Sequence, residues 1–393
     1  MSPLQYIELT EYSSRKFEIT EVEYAIAESL WRNYEQQITV NFPSPKTGGK
    51  WQLEAKGWVG HIIINRNFHL SLLPKVPLVN LFGMLEYAYK LKSFRFFQGV
   101  IKSESLEEFY NHLAYILAQR ILDRCREGFY RAYMPKTANL PCVRGCIDMC
   151  QAVQKSWQVK LKCHYQEHTA DIEENQILAW TLFIILRSGL AEEKQLVKLR
   201  QAYRTLQGLV TLKPFKPEDC IRRNYHRLNE DYQPLHALCR FFLENTEPTH
   251  EKGDRTMLPF LIDMAQLYEI FVVEWLKENL PSNLCLKFQE RINIVNNITF
   301  IPDIVLYEIS TGKARYILNI KYKTPTSPAS DDLAQVIAQA VSKECQEVIL
   351  VYPNPLNNPL DKFIGNIRVR NLTFSLNGNL EEAGTTFLQN LFS

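Results

Sequence analysis

The sequence predicts an α+β chain of several domains: a β-rich N-terminal region over residues 1–100, a helical middle over 101–255 and a C-terminal α/β region over 256–393. Three observations carry that prediction. Short apolar runs of strand length, at residues 37–42 and 60–64, alternate with turns in the first region. Apolar residues recur at helical spacing through the second, and in the third helical stripes flank two strands joined by a turn. A length of 393 residues suits two or three domains, and 46% hydrophobic content is enough to fill their cores.

In the first region, residues 43–50 hold two prolines and two glycines between strand runs. They read as a projecting loop that either engages a partner or forms a solvated hairpin tip. Gly49 and Lys50 hint at a phosphate loop, but Ser44 stands at the leading glycine position and Trp51 where Ser or Thr would bind Mg²⁺. No such motif occurs elsewhere, so any nucleotide hydrolysis would have to come from another subunit.

The middle opens on Ser105 and Glu108, a capping-box pair, with Leu106, Phe109, Leu113, Leu117 and Ile121 following at helical spacing up to Arg126. Periodic runs continue over 175–187, 192–206 and 235–243. The basic and aromatic cluster at 222–227 suits phosphate contact, although a solvated charge run is the commoner explanation. Residues 246–255 are polar, with Pro and Gly, and read as a loop into the third region.

Nine cysteines, an odd number, are expected to be reduced thiols in a reducing compartment. Cys142, Cys146 and Cys150 match no zinc spacing, and the strand-like sequence around them leads us to expect packing as small apolar groups. The apolar run 177–186 is interrupted by Trp180 and Thr181 and ends at Arg187, too short to span a membrane. The first residues lack a signal peptide's basic and apolar regions, so a cytoplasmic protein is expected. With a net charge of +2, nucleic acid would have to be held by a local basic groove or by a partner.

In the third region, Leu267, Ile270, Phe271 and Trp275 form a helical stripe with Glu269 beside it. Two apolar strands follow, at 300–307 and 316–323, joined by the turn-forming residues 310–313. A turn centred near Thr311 and Gly312 sets Asp303 across from Asn319 and Ile320. Alternation then puts Asn319 and Lys321 on one face and Leu318, Ile320 and Tyr322 on the other. A polar cluster at a strand end backed by an apolar face is one way to build a metal site. An ordinary hairpin with a surface lysine and a capping aspartate is the plainer alternative. Residues 331–340 read as a helix and 347–353 as a further strand.

Pro302-Asp303, a hairpin, and then residue 319 two positions before Lys321 resemble the signature of the PD-(D/E)xK nucleases. The resemblance implies that acids at 303 and 319 hold Mg²⁺ and that Lys321 assists the attacking water. It also implies a further acid on the preceding helix, for which Glu269 is the candidate, with a solvated surface glutamate as the plainer reading. Gln335 matches a glutamine that faces DNA in related nucleases, while Gln339 replaces the tyrosine four residues later. The sequence departs at Asn319, where the family has Asp or Glu. Mg²⁺ favours carboxylate oxygens, and an amide offers one neutral oxygen. Either the chain is a natural inactive member or it carries a single Asp→Asn change; the regularity of the surrounding match favours the second.

The likeness is also narrower. Residues 69–77 leading into 81–88, 128–133 with 143–148, and 165–177, where Gln176 replaces an expected arginine, resemble McrC, the nuclease subunit of McrBC modification-dependent restriction systems. That resemblance implies a McrB-like AAA+ GTPase oligomer as partner, which binds the GTP, recognises modified cytosine, translocates double-stranded DNA and is stimulated by this chain. The N-terminal half is the expected docking part, such that residues 1 to about 250 should bind the motor without the nuclease region. Two functions stay open: a Mg²⁺-dependent DNA endonuclease subunit, or an assembly subunit that keeps the nuclease fold as scaffold.

Overall fold

The computed structural model describes residues 5–393 apart from 19–21, 66–67, 90–104, 155–156, 158, 222, 247–259, 296–297, 324 and 326. The first four residues, Arg222 of the basic cluster, and the expected loop over 246–255 beyond Thr246 therefore lie outside the described residues. The chain divides into two compact units, Met1–Leu106 with Pro259–Ser393, and Glu107–Leu258. The chain's two ends thus share one unit.

Their joining is visible in the first sheet. It combines β1 (Gln5–Thr10), β5 (Trp58–Asn65), β6 (Phe68–Leu73) and β10 (Phe260–Asp263) in the order β1-β6-β5-β10. The β1–β6 pair is parallel and the other two are antiparallel. A smaller antiparallel sheet holds β2 (Ser14–Phe17), β3 (Ile38–Asn41) and β4 (Trp51–Ala55) in the order β2-β4-β3. Helix α1 (Tyr24–Asn33) packs Ile26, Ala27 and Leu30 into one core with residues of both sheets, among them Leu53, Leu70 and Leu72. Each fully buried leucine of this core stabilises by roughly 1.5–3 kcal/mol. The loop at 43–50 is turned by Ser44 and Thr47, with Gly48 and Gly49 at φ +71° and +75°. Lys50 pairs with Glu18.

Helix α2 (Leu78–Ala88) is tied to the far end of the sequence: Asn80 Nδ2 donates to the carbonyls of Leu376 (2.7 Å) and Gly378 (3.0 Å).

The Glu107–Leu258 unit contains most of α3 (Leu106–Glu127). The helices α5 (Glu173–Ser188), α6 (Glu193–Gln207) and α7 (Tyr232–Asn245) follow, close to where periodicity put them. Tyr110 packs edge-on to Phe242 at 5.2 Å. Buried Asn175 donates to the carbonyls of Tyr130 and Ala170 and accepts from the Tyr232 hydroxyl, so its amide is well used.

The expectation of a helical middle needs correction beyond the strand-like stretch around Cys146, which forms a short strand. A three-stranded sheet of β7 (Ala132–Leu140), β8 (Cys146–Ile147) and β9 (Leu161–Thr169), in the order β7-β9-β8, precedes these helices, with a short α4 (Met149–Gln154). Most β7 side chains are exposed, so the strand lacks the apolar alternation by which strands are recognised. For the same reason Cys142, Cys146 and Cys150 are exposed, contrary to the expected packing; Cys163 is buried.

The C-terminal part is a helix, a six-stranded sheet and two more helices. Asp263 caps α8 (Met264–Asn279), accepting from the N–H groups of Ala265 and Gln266. The sheet holds β11 (Leu284–Phe288), β14 (Ile304–Glu308), β15 (Ala314–Ile320), β16 (Glu347–Tyr352), β17 (Asp361–Ile364) and β18 (Ile367–Thr373). Its order is β11-β14-β15-β16-β18-β17, with β15, β16 and β18 parallel and the other pairs antiparallel. A separate ribbon pairs β12 (Ile292–Val295) with β13 (Ile298–Phe300). Helix α9 (Ser330–Lys343) makes the crossover from β15 to β16, and its Val336 and Ala340 join the core of Val305, Ile317, Val348 and Leu350. Helix α10 (Leu380–Leu391) approaches α8 so closely that a Cβ on Gly384 would lie 2.1 Å from the Trp275 ring. Among the described residues no helix is long and apolar enough to cross a membrane.

Candidate active site

The hairpin turn closes at Gly312, whose φ of +68° suits glycine and whose N–H donates to the Glu308 carbonyl. Register then follows: Ile304 pairs with Leu318, so Asp303, one residue earlier, stands opposite Asn319. Its carboxylate turns onto the neighbouring strand, where Oδ2 accepts from the Ile320 N–H at 2.6 Å. Burial raises the Asp303 pKa, while the Ile320 N–H and the charge of Lys321 pull it back.

Glu269, on α8, belongs to the same group. Burial raises its pKa, the nearby Asp303 charge raises it further, and Gln289 and Lys321 oppose the rise. Gln289 bridges the two acids: its side-chain Nε2 donates to Glu269 Oε1 at 2.9 Å and its backbone N–H to the Asp303 carbonyl at 3.0 Å. To do so it adopts a φ of +47°, a left-handed conformation costing a non-glycine residue roughly 1–2 kcal/mol. Strain of that kind collects at functional sites.

Lys321 lies just past the end of β15, its N–H donating to the Val351 carbonyl at 2.8 Å. Its Nζ is 3.9 Å from Asp332 Oδ1 in the first turn of α9, and Lys323 Nζ is 2.6 Å from Oδ2 of the same carboxylate. Lys321 thus faces three acids: Asp303, Glu269 and Asp332.

Asn319 shares the face of Ile317, against α9, and is buried at 1% exposure. Its Nδ2 donates to Gln339 Oε1 at 2.6 Å. Asn319 Oδ1 and Gln339 Nε2 are buried without a hydrogen bond. Gln335, one turn earlier on α9, is exposed. Among the described residues no group of three or more His, Cys, Asp or Glu side chains is placed to hold a metal ion.

The expected residues Asp303, Lys321 and Glu269 therefore come together electrostatically, and Asn319 lies on the adjoining strand. Sequence reasoning missed Gln289, Asp332 and the role of Gln339. Asp332 carried a readable signal, an acid in the first turn of a helix beginning after the lysine strand. Gln289 carried none, since its backbone conformation is not legible from residue type.

The model of the McrBC 5-methylcytosine restriction system component family matches residues 53–353. The chain is similar to the type IV methyl-directed restriction enzyme EcoKMcrBC of Escherichia coli (strain K12), at 25% identity over 219 residues that cover 53% of this chain and 61% of that protein. It therefore spans less than two thirds of that relative's length. Among solved structures, its fold resembles a chain of the refined half-complex from the tetradecameric assembly of Thermococcus gammatolerans McrB AAA+ hexamers with bound McrC. That match has a TM-score of 0.58 at 18% identity and covers 98% of this chain and 100% of the other. A chain of the cryo-EM structure of the Thermococcus gammatolerans McrBC complex matches at 20% identity and a TM-score of 0.47, over 71% of this chain and 89% of that one.

Proposed function

Because the chain belongs to the McrBC 5-methylcytosine restriction system component family, we propose that it is the DNA-cleaving subunit of a GTP-dependent restriction endonuclease directed to modified cytosine. Its C-terminal part is read as a PD-(D/E)xK nuclease. The observation that carries this reading is the Asp303–Ile320 hydrogen bond of 2.6 Å, which sets an acid against the strand end that bears Asn319 and Lys321. The succession of α8, an antiparallel hairpin, the α9 crossover and parallel β16 supports it.

The donor set fits a hard divalent cation. Asp303 and Glu269 offer carboxylate oxygens whose ionisation burial opposes, and residue 319 lies on the strand opposite Asp303. Asp303, Glu269 and residue 319 would hold Mg²⁺, which when bound supplies positive charge to the developing phosphate charge and acidifies water. Lys321, beside Asp303, Glu269 and Asp332, would orient the attacking water by donating to it from Nζ, or take its proton there once its own has been lost. Gln289 keeps Glu269 and the Asp303 backbone in register. Gln335, exposed on α9, would meet DNA beside the site.

Position 319 sets the activity. An acid there would make the third carboxylate of the group; the amide leaves the site short by one charge, and cleavage by the chain as written is expected to be weak. GTP belongs to an AAA+ partner that the N-terminal half engages and stimulates, since Ser44 and Trp51 spoil any phosphate loop here. A second reading, an assembly subunit without chemistry, is favoured by the same Asn319. The deciding experiment is GTP-dependent cleavage of methylated DNA by the chain with a motor subunit, comparing Asn319 with Asn319→Asp.

A further inference from the structure

Glu11 directly follows β1, and its side chain is wholly buried. Oε1 accepts two hydrogen bonds, from the Lys75 backbone N–H at 2.7 Å and from the Tyr322 hydroxyl at 2.8 Å. Oε2 is buried with no hydrogen bond. Burial raises the pKa of this carboxyl, against the two donors and the Lys75 charge. Stability alone does not explain a half-satisfied buried acid, because an apolar group of similar size would cost less there.

What Glu11 holds is informative. Tyr322 is the residue after Lys321, and its ring lies 5.8 Å from that of Tyr268, the residue before Glu269. The Tyr12 hydroxyl adds a 3.5 Å contact to the Tyr322 carbonyl. Beside these groups is a cavity of about 210 Å³, lined by Glu11, Tyr12, Lys75, Tyr322, Lys323 and Asn354 among others. A Tyr322 side chain released from Glu11 therefore has space to move.

We infer that Glu11 is a positioning residue for the nuclease site: by holding the Tyr322 hydroxyl it fixes the chain just past β15, and with it the direction in which Lys321 presents its amine. The inference rests on the nuclease reading of Lys321. It gives the N-terminal sheet a handle on the chemistry, because Glu11 and Lys75 sit at the ends of the paired strands β1 and β6. A partner that shifts that sheet edge reaches Lys321 through one hydrogen bond.

Two readouts test it: hydrogen exchange of peptides spanning residues 317–323 in the chain as it stands, and DNA cleavage with the motor in the Asn319→Asp background. Tyr322→Phe should speed the exchange by roughly tenfold, the worth of one hydrogen bond. It should lower kcat by a similar factor with KM unchanged, because Lys321 acts on the reacting water and not on ground-state binding. Glu11→Gln keeps an acceptor for the hydroxyl and should stay near the parent in both readouts, whereas Glu11→Ala should match Tyr322→Phe. Parental exchange and kcat in Tyr322→Phe, or a Glu11→Gln as impaired as Glu11→Ala, would overturn the inference. Should Glu11→Ala fail to fold, Tyr322→Phe decides alone, since it removes a single hydroxyl. If the Asn319→Asp parent does not cleave, the nuclease reading fails and the exchange measurement still decides whether Glu11 fixes this segment.

Discussion

Asn319 and Gln339 form a buried amide pair joined by one hydrogen bond, Nδ2 to Oε1 at 2.6 Å, while Asn319 Oδ1 and Gln339 Nε2 stay unbonded. An unbonded buried polar atom costs about 1–3 kcal/mol. A carboxylate at 319 would accept from Gln339 once the glutamine turned its NH₂ toward it, which moves the unbonded position on the glutamine from Nε2 to Oε1.

That acid would carry a charge into a site with 1% exposure, so its stability should depend on metal. Asn319→Asp is expected to lower the melting temperature in EDTA and to recover it in millimolar Mg²⁺. The chain as written should respond less to Mg²⁺. Differential scanning fluorimetry with and without the ion checks this, and equal Mg²⁺ shifts in the two forms would contradict the ligand role of residue 319.

Removing the lysine should act on chemistry alone. In the Asn319→Asp background, Lys321→Ala is expected to lower the cleavage rate by roughly 10²–10⁴-fold while circular dichroism and motor assembly stay unchanged, since its side chain is partly exposed and its partner Asp332 keeps Lys323. Asp303→Ala should abolish cleavage likewise. Loss of folding in the lysine variant would favour the scaffold role.

The pH dependence has a definite sign. Asp303 and Glu269 both have raised pKa values, so the folded chain holds protons that the unfolded chain has lost, and stability falls as pH rises from the ordinary carboxylate range through the raised values. Asp303→Asn, which keeps an acceptor for the Ile320 N–H, and Glu269→Gln should each raise the metal-free melting temperature at neutral pH by about 1–3 °C. Below about pH 4 the gain should vanish. Melting curves across pH measure it, and a gain that grows toward acid would contradict the assignment.

Much of this site was legible because its signals are local. The Thr311-Gly312 turn and period-2 alternation set Asp303 against Asn319 and Ile320, and the structure keeps that register. The helix stripe through Leu267 and Phe271 located Glu269. What was not legible is long-range or lacks contrast. Glu11 meets Tyr322 across 311 residues, and no local pattern announces that meeting. Strand β7 is mostly exposed, and the alternation of β9 is carried largely by polar side chains that are half-buried at most, so a sheet was read as part of a helical region.

The long-range joining changes one expectation. A chain cut at residue 250 loses β10 from the first sheet, the Leu376 and Gly378 carbonyls that hold Asn80, and the Tyr322 partner of Glu11. Residues 1–250 alone should therefore bind a hydrophobic dye and melt without a cooperative transition in the N-terminal unit. A cooperative, dye-silent fragment would contradict the shared unit, and co-elution of that fragment with the motor would locate the docking surface within it.

The most direct measurement of the central claim is cleavage of methylated double-stranded DNA by the chain reconstituted with a McrB-like motor, in GTP and Mg²⁺, with Asn319 and Asn319→Asp side by side. The account predicts little cleavage from the first and GTP-dependent cleavage from the second, raised by roughly 10²-fold or more for a restored metal carboxylate. Equal rates in the two forms would show that residue 319 is not a metal ligand, and absence of cleavage from both would leave the chain an assembly subunit.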